Sequence, residues 1–215
     1  MLICIIMTAV GFLSGSIMFS YILPRWLYSI DIRQYNEDGN PGSMNAIAAS
    51  GLVVGLLCLV LDILKAAVPV YVAVQYLKVS GYALVPVMIA PVLGHAFSPF
   101  LGFRGGKAIS VAFGSLLGVI HISLAVVILV LVMVFFHFII VLSPDSSKVI
   151  SAFALTSLIV LIFEPLIEIK TVVLIIGFVV CGKHLVNPNY GELHATVGPF
   201  KIFREGRSVK IKRRT

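Results

Sequence analysis

Residues 108–142 run without a single Asp, Glu, Lys or Arg, a stretch of 35 residues between Lys107 and Ser143. As one straight helix it would extend about 52 Å at 1.5 Å per residue, well past a bilayer hydrocarbon core of about 30 Å. Two shorter spans that break across residues 118–123 fit the thickness better. Hydrophobic residues make up 60% of the chain and charged residues only 12%, where a soluble domain averages about 25% charged. So few charges, so clustered, cannot clothe a globule in water.

Further apolar runs occupy residues 2–23, 46–77, 79–97, 149–163 and 169–182. The first has no basic region ahead of its apolar core and is followed by comparable segments, so it reads as a retained span and not as a signal peptide. The sum is an all-α integral membrane protein of about seven transmembrane helices, several of them short. Five spans would preserve the same sidedness. The polar breaks are residues 24–45, 98–107 and 143–148, and the first two are rich in turn-forming glycine.

With the N-terminus outside, seven spans put those breaks and the C-terminal tail in the cytoplasm. All but Lys65, Lys78 and Lys170 of the 16 Lys and Arg residues then lie inside, as the positive-inside rule requires. Residues 1–200 form a single polytopic domain and residues 201–215 a basic cytoplasmic tail. The net charge of +7 sits at the edges of apolar runs and in that tail, which fits anionic lipid headgroups and not nucleic acid. Cys4, Cys58 and Cys181 are each embedded in apolar sequence and read as small hydrophobes.

Residues 94–107 carry the strongest chemical signal. Arg104 and Lys107 flank the adjacent Gly105 and Gly106 just before the next helix. Backbone donors, a helix N-terminus and cations make an anion cradle suited to phosphate. The competing reading is a structural turn anchored to headgroups. Asn40 and Asn45 bracket a tight turn, and Asn45 either binds a substrate oxygen or caps backbone N–H groups. Asp31 and Arg33 read as separate loop contacts.

Asp62 and Lys65, three apart on one helical face inside apolar sequence, read first as a structural ion pair, since intramembrane charges are costly unless paired. His184 and Asn187, at i and i+3 where the last span meets the surface, can face one pocket. His184 can move a proton near neutrality, although a merely hydrogen-bonded histidine is the blander alternative. The acidic residues are scattered, so no metal site emerges. A transporter would place its polar groups near mid-membrane, often between repeats; here they gather at one surface and no repeat is visible.

The segment 94–107 closely resembles the second signature of the bacterial acyl-phosphate-dependent glycerol-3-phosphate acyltransferases. The resemblance extends to Gly15 and Ser16, Asp31 to Arg33, Gly39 to Gly42, Asn45, Asp62 with Lys65, Pro69, and His184 with Asn187. It implies direct acyl transfer from acyl phosphate to the 1-hydroxyl of glycerol 3-phosphate, giving lysophosphatidate and phosphate with no acyl-enzyme and no cofactor. It also implies a cell-membrane protein with its site on the cytoplasmic face. Lys107, His184 and Asn187 would be catalytic. Asn40, Asn45, Arg33, Arg104, Gly105 and Gly106 would hold the substrates. The partners are those two substrates and membrane lipids, and a monomer suffices.

The chain departs from the family pattern at several positions, among them Ser43 and Met44 in the first signature and Leu185, Val186 and Pro188 around His184 and Asn187. Asn36, Glu37, Asp38 and Gly39 stand where the family has Gly-Ser-Gly, and Ala48 stands where an arginine follows the asparagine. These changes imply a different acceptor, compensation by Arg33 or Arg104, or a noncatalytic lipid- or phosphate-binding homologue.

Overall fold

The computed structural model describes residues 1–35 and 39–186, and beyond them the backbone of 194–197, 200–205 and 208–213. Each apolar run in the sequence is mainly helical. The first is divided between α1 (Leu2–Ser16) and α2 (Phe19–Tyr28), which meet at a 41° bend. Ser16 Oγ donates back to the Phe12 carbonyl at 2.7 Å, the i−4 contact that bends helices. Proline at position 24 does not end the helix as the sequence predicts. α2 runs through it to Tyr28 and stops where Ser29 turns left-handed, with Ser29 and Ile30 N–H closing on the Arg25 and Pro24 carbonyls.

The second run breaks at its start. α3 (Ser43–Ser50) ends at Gly51, whose φ of +85° suits glycine, and α4 (Leu52–Gln75) continues through Pro69. Then follow α5 (Leu84–Ala96), α6 (Ile109–Leu117) and α7 (Ala125–Phe138). The charge-free run therefore divides across residues 118–124, close to where bilayer thickness demands. Ser123 Oγ donates to Glu164 Oε2 at 2.5 Å and Leu166 N–H donates to Glu164 Oε1 at 3.2 Å, tying that break to the next one along the chain. α8 (Asp145–Phe163) and α9 (Ile167–Leu185) complete the bundle.

Two antiparallel strand pairs were not foreseen. β1 (Ile140–Ser143) pairs with β2 (His194–Val197), and β3 (Phe200–Glu205) pairs with β4 (Ser208–Arg213), where the sequence shows only a basic tail.

α1 packs on α5, α4 on α6, and α8 on α9. The first contact is close because small residues line it: a Cβ at Gly15 would lie 2.1 Å from the Pro91 carbonyl, and one at Gly94 2.2 Å from that of Phe12. Val70, Met88, Leu116, Leu129 and Ile176 fill the interior, while Val53, Phe163 and Phe178 point outward. Apolar side chains thus cover both sides of the helices, as a lipid solvent permits.

Among the described residues, three stretches, Leu52–Gln75, Gly81–Leu101 and Asp145–Phe163, are long and apolar enough to cross a membrane on their own, and the bent α1–α2 pair makes a fourth. α6 and α7 are shorter, at 9 and 14 residues, and α9 carries Glu168, Lys170 and Lys183. The protein is a mostly helical membrane protein.

Candidate functional site

The break between α1 and α2 frees carbonyls that a helix would otherwise satisfy, and inside a bilayer only protein groups can replace those bonds. Ser98 Oγ donates to the Ser16 carbonyl at 2.7 Å, and Lys65 Nζ donates to that of Ile17. Lys65 also meets Asp62 Oδ1 at 2.7 Å, with side chains only 3% and 1% exposed. Asp62 Oδ2 in turn accepts from Ser20 Oγ at 2.6 Å. The ion pair therefore joins α4 to both halves of the broken span.

Lys65 Nζ lies 3.0 Å from Nδ1 of the buried His95. An ammonium only donates, so Nδ1 accepts and the ring proton sits on Nε2. This histidine forms the floor of the glycine loop. Its carbonyl accepts the Gly106 N–H at 3.0 Å. A Cβ at Gly105 would lie 1.9 Å from that carbonyl oxygen, and one at Gly106 2.3 Å from Nε2.

The glycines are thus required because the loop passes almost in contact with His95. At Gly106 this revises the sequence reading, since its N–H is committed to His95 and does not point outward as a donor. Anion-binding capacity shifts to the first turn of α6, whose leading N–H groups have no intrahelical acceptor, and to the cations. Arg104 is exposed and Lys107 half-buried. Ala108, in the left-handed region at φ 61°, turns the chain into α6.

Lys183, in the last turn of α9, reaches across to this loop and donates to the Ala96 carbonyl at 3.0 Å and the Gly105 carbonyl at 3.2 Å. The next residue, His184, is buried, and its Nδ1 lies 2.8 Å from the Val180 carbonyl. A carbonyl oxygen only accepts, so Nδ1 carries the hydrogen and the neutral ring's lone pair is on Nε2. Asn187 lies outside the described residues.

Asn45 is buried near the start of α3, and its Nδ2 donates to the Asn40 carbonyl at 2.8 Å, so the two asparagines close one turn. Asp31 and Arg33 pair with each other, contrary to the sequence reading of separate contacts. Arg33 donates through Nε at 2.9 Å and Nη2 at 2.6 Å, and its guanidinium lies over the Tyr21 ring at 4.8 Å. Hydrogen bonding from Arg33 holds the Asp31 carboxyl below the usual carboxylate range, and Asp31 raises the Arg33 guanidinium in return.

A groove of about 560 Å³ runs between α1 and α4, lined by Met7, Val10, Leu61, Val68 and Val72 among others. It includes no residue of the glycine loop or α9, so it is distinct from the phosphate-binding candidate. Sequence reasoning overlooked His95, Lys183, Ser20 and Ser98. His95 lies inside the signature segment and Lys183 beside His184, but neither position by itself says what the side chain touches.

A family model described as glycerol-3-phosphate acyltransferase matches residues 5–190. Relatives of that name include a Thermotoga petrophila protein, 44% identical over 106 residues, covering 48% of this chain and 52% of the relative. A Myxococcus xanthus protein is 38% identical over 125 residues, 58% of this chain and 65% of that one. The chain thus spans about half the length of the first curated relatives it matches. The crystal structure of PlsY (YgiH), an integral membrane glycerol 3-phosphate acyltransferase, in its glycerol 3-phosphate form, has a TM-score of 0.73 at 27% identity and covers 85% of this chain and 88% of that chain. Its lysophosphatidic acid form has a TM-score of 0.68 at 25% identity, covering 84% and 87%.

Proposed function

The chain belongs to the glycerol-3-phosphate acyltransferase family, and on that premise we propose that it transfers an acyl group from acyl phosphate to the 1-hydroxyl of glycerol 3-phosphate. The observation that carries this reading is structural likeness across 85% of the chain to a protein crystallised in forms named for glycerol 3-phosphate and lysophosphatidic acid. The hydroxyl oxygen attacks the acyl carbonyl carbon, an ester bond forms, and the bond to the phosphate oxygen breaks with its electron pair leaving on phosphate. No acyl-enzyme is needed, because both reactants can be held side by side.

Lys107, Arg104 and the first turn of α6 would bind phosphate and stabilise charge on the leaving group. The lone pair on His184 Nε2 suits acceptance of the hydroxyl proton. Asn187 would orient the acceptor, Asn40 and Asn45 would offer polar groups from the turn they close, and Arg33, its charge paired with Asp31, would serve as a guanidinium donor. In this reading the helices make seven crossings in the cell membrane, the N-terminus is outside, the site faces the cytoplasm, and one chain is the working unit. No cofactor takes part.

Purified protein in lipid nanodiscs, given acyl phosphate and a panel of phosphorylated and unphosphorylated acceptors, tests the reading. Glycerol 3-phosphate should yield lysophosphatidate and phosphate, and Lys107→Ala should slow turnover about a hundredfold. Preference for another acceptor would trace to Ala48 and the altered sequence Asn36-Glu37-Asp38-Gly39. Binding of glycerol 3-phosphate without turnover of any acceptor would replace this reading with a noncatalytic phosphate- or lipid-binding homologue.

A further inference from the structure

The glycine loop is held from two directions. Beneath it, His95 accepts the Gly106 N–H through its carbonyl, while its ring, fixed by Lys65, lies where any side chain at Gly106 would have to go. From the opposite helix, Lys183 bonds two carbonyls at once, that of Ala96 at the end of α5 and that of Gly105 in the loop. These two chain segments are nine residues apart in sequence, and the ammonium pins them together. Its position also lies 5.4 Å from the Phe97 ring centroid.

Both of those carbonyl partners are neutral, so the bonds immobilise the ammonium without cancelling its charge. A cation held in this way orders the loop and adds positive potential behind it, both favourable to a bound phosphate. Lys183 also immediately precedes His184 on α9. Whatever fixes Lys183 against the loop fixes the spacing between the loop and that histidine.

We propose that Lys183 is a positioning residue: by holding the Ala96 and Gly105 carbonyls it sets the glycine loop at a fixed distance from His184, so that a bound phosphate and the proton acceptor are in register. This rests on the acyltransferase reading for its catalytic meaning, but the clamp itself can be measured without turnover. Lysine supplies several donors at the end of a long apolar stem, the combination needed to cross from α9 and bond two carbonyls. Methionine keeps much of the stem and removes the donors and charge. Arginine keeps the charge and the donors.

The test compares wild type, Lys183→Met and Lys183→Arg in nanodiscs by hydrogen–deuterium exchange of peptides covering 98–110, and by KM and kcat for each substrate. Lys183→Met should speed exchange in the loop and raise KM for the phosphate substrates about tenfold, with a smaller fall in kcat. Lys183→Arg should bring exchange and KM most of the way back. Should Lys183→Met not fold, Lys183→Gln, which keeps one donor group without the charge, is read in the same way. Unchanged loop exchange overturns the clamp, and faster exchange with wild-type KM overturns its positioning role. A wild type that shows the exchange difference but no turnover leaves the clamp standing and removes the acyltransferase reading instead.

Discussion

Two ion pairs of similar length sit in contrasting surroundings. Asp62 and Lys65 meet at 2.7 Å with side chains 1% and 3% exposed, whereas Asp31 and Arg33 meet at 2.6 Å with side chains 20% and 41% exposed. Distance alone would rank them as equals. Desolvation ranks them apart, because a charge removed from water and then deprived of its partner has nothing to replace it, while an exposed charge is rehydrated at once. The buried pair also has further duties, since Lys65 serves the Ile17 carbonyl and faces His95, and Asp62 accepts from Ser20. The exposed pair bonds locally, within the turn it caps and to the Tyr21 beside it.

The sharpest way to break the comparison is to remove one partner from the buried pair. Lys65→Met strands Asp62 in the bundle and orphans the Ile17 carbonyl, and should cost about 3–5 kcal/mol of stability. The readouts are the chemical unfolding midpoint in mixed micelles and the folded yield from membranes. Adding Asp62→Leu should recover part of that loss, because an apolar pair carries no unmet charge. If the double variant is worse than the single one by the full cost of a second lesion, the two side chains do not act as a pair.

The glycine loop extends the contrast to close backbone packing. A Cβ at Gly105 would meet the His95 carbonyl oxygen, which belongs to the backbone of α5 and cannot swing aside, whereas one at Gly106 would meet the end of the His95 ring. Gly105→Ala should therefore be the costlier substitution, about 1–3 kcal/mol by the usual measure of overpacking, and should raise KM for phosphate substrates. Equal effects from Gly105→Ala and Gly106→Ala would show that the His95 ring is as rigid as the backbone beneath the loop.

The sequence discloses the parts of this structure that depend on bilayer thickness and on charge. A charge-free run too long for one crossing must break, and it does so across residues 118–124; an acid and a base three apart in apolar sequence must meet, and Asp62 and Lys65 do. Local chemistry misleads at Pro24, where α2 runs on to Tyr28 and ends only when Ser29 and Ile30 close on the Arg25 and Pro24 carbonyls. It misleads again at Gly106, where glycine looks like a source of exposed donors and is in fact space for His95. Lys183 could not be assigned from sequence at all. Its partners are main-chain carbonyls 87 and 78 residues away, and a carbonyl leaves no mark on residue identity.

At the other end of the scale, Asp31→Asn should remove only about 0.2–1 kcal/mol, and less at high salt, as exposed pairs do. Its pH dependence has a definite sign. Hydrogen bonding to Arg33 depresses the Asp31 carboxyl in the folded protein, so the pair's contribution is present in full above the carboxyl's unfolded value and disappears as pH falls through the lower, folded one. The thermal midpoints of wild type and Asp31→Asn should accordingly differ near neutrality and converge in acid. Because Arg33 stays cationic throughout, convergence measures Asp31 alone. A gap that persists in acid would mean that Asp31 stabilises its turn chiefly through shape, by capping the Arg33 N–H, and that even the modest charge term assigned to this exposed pair is too large.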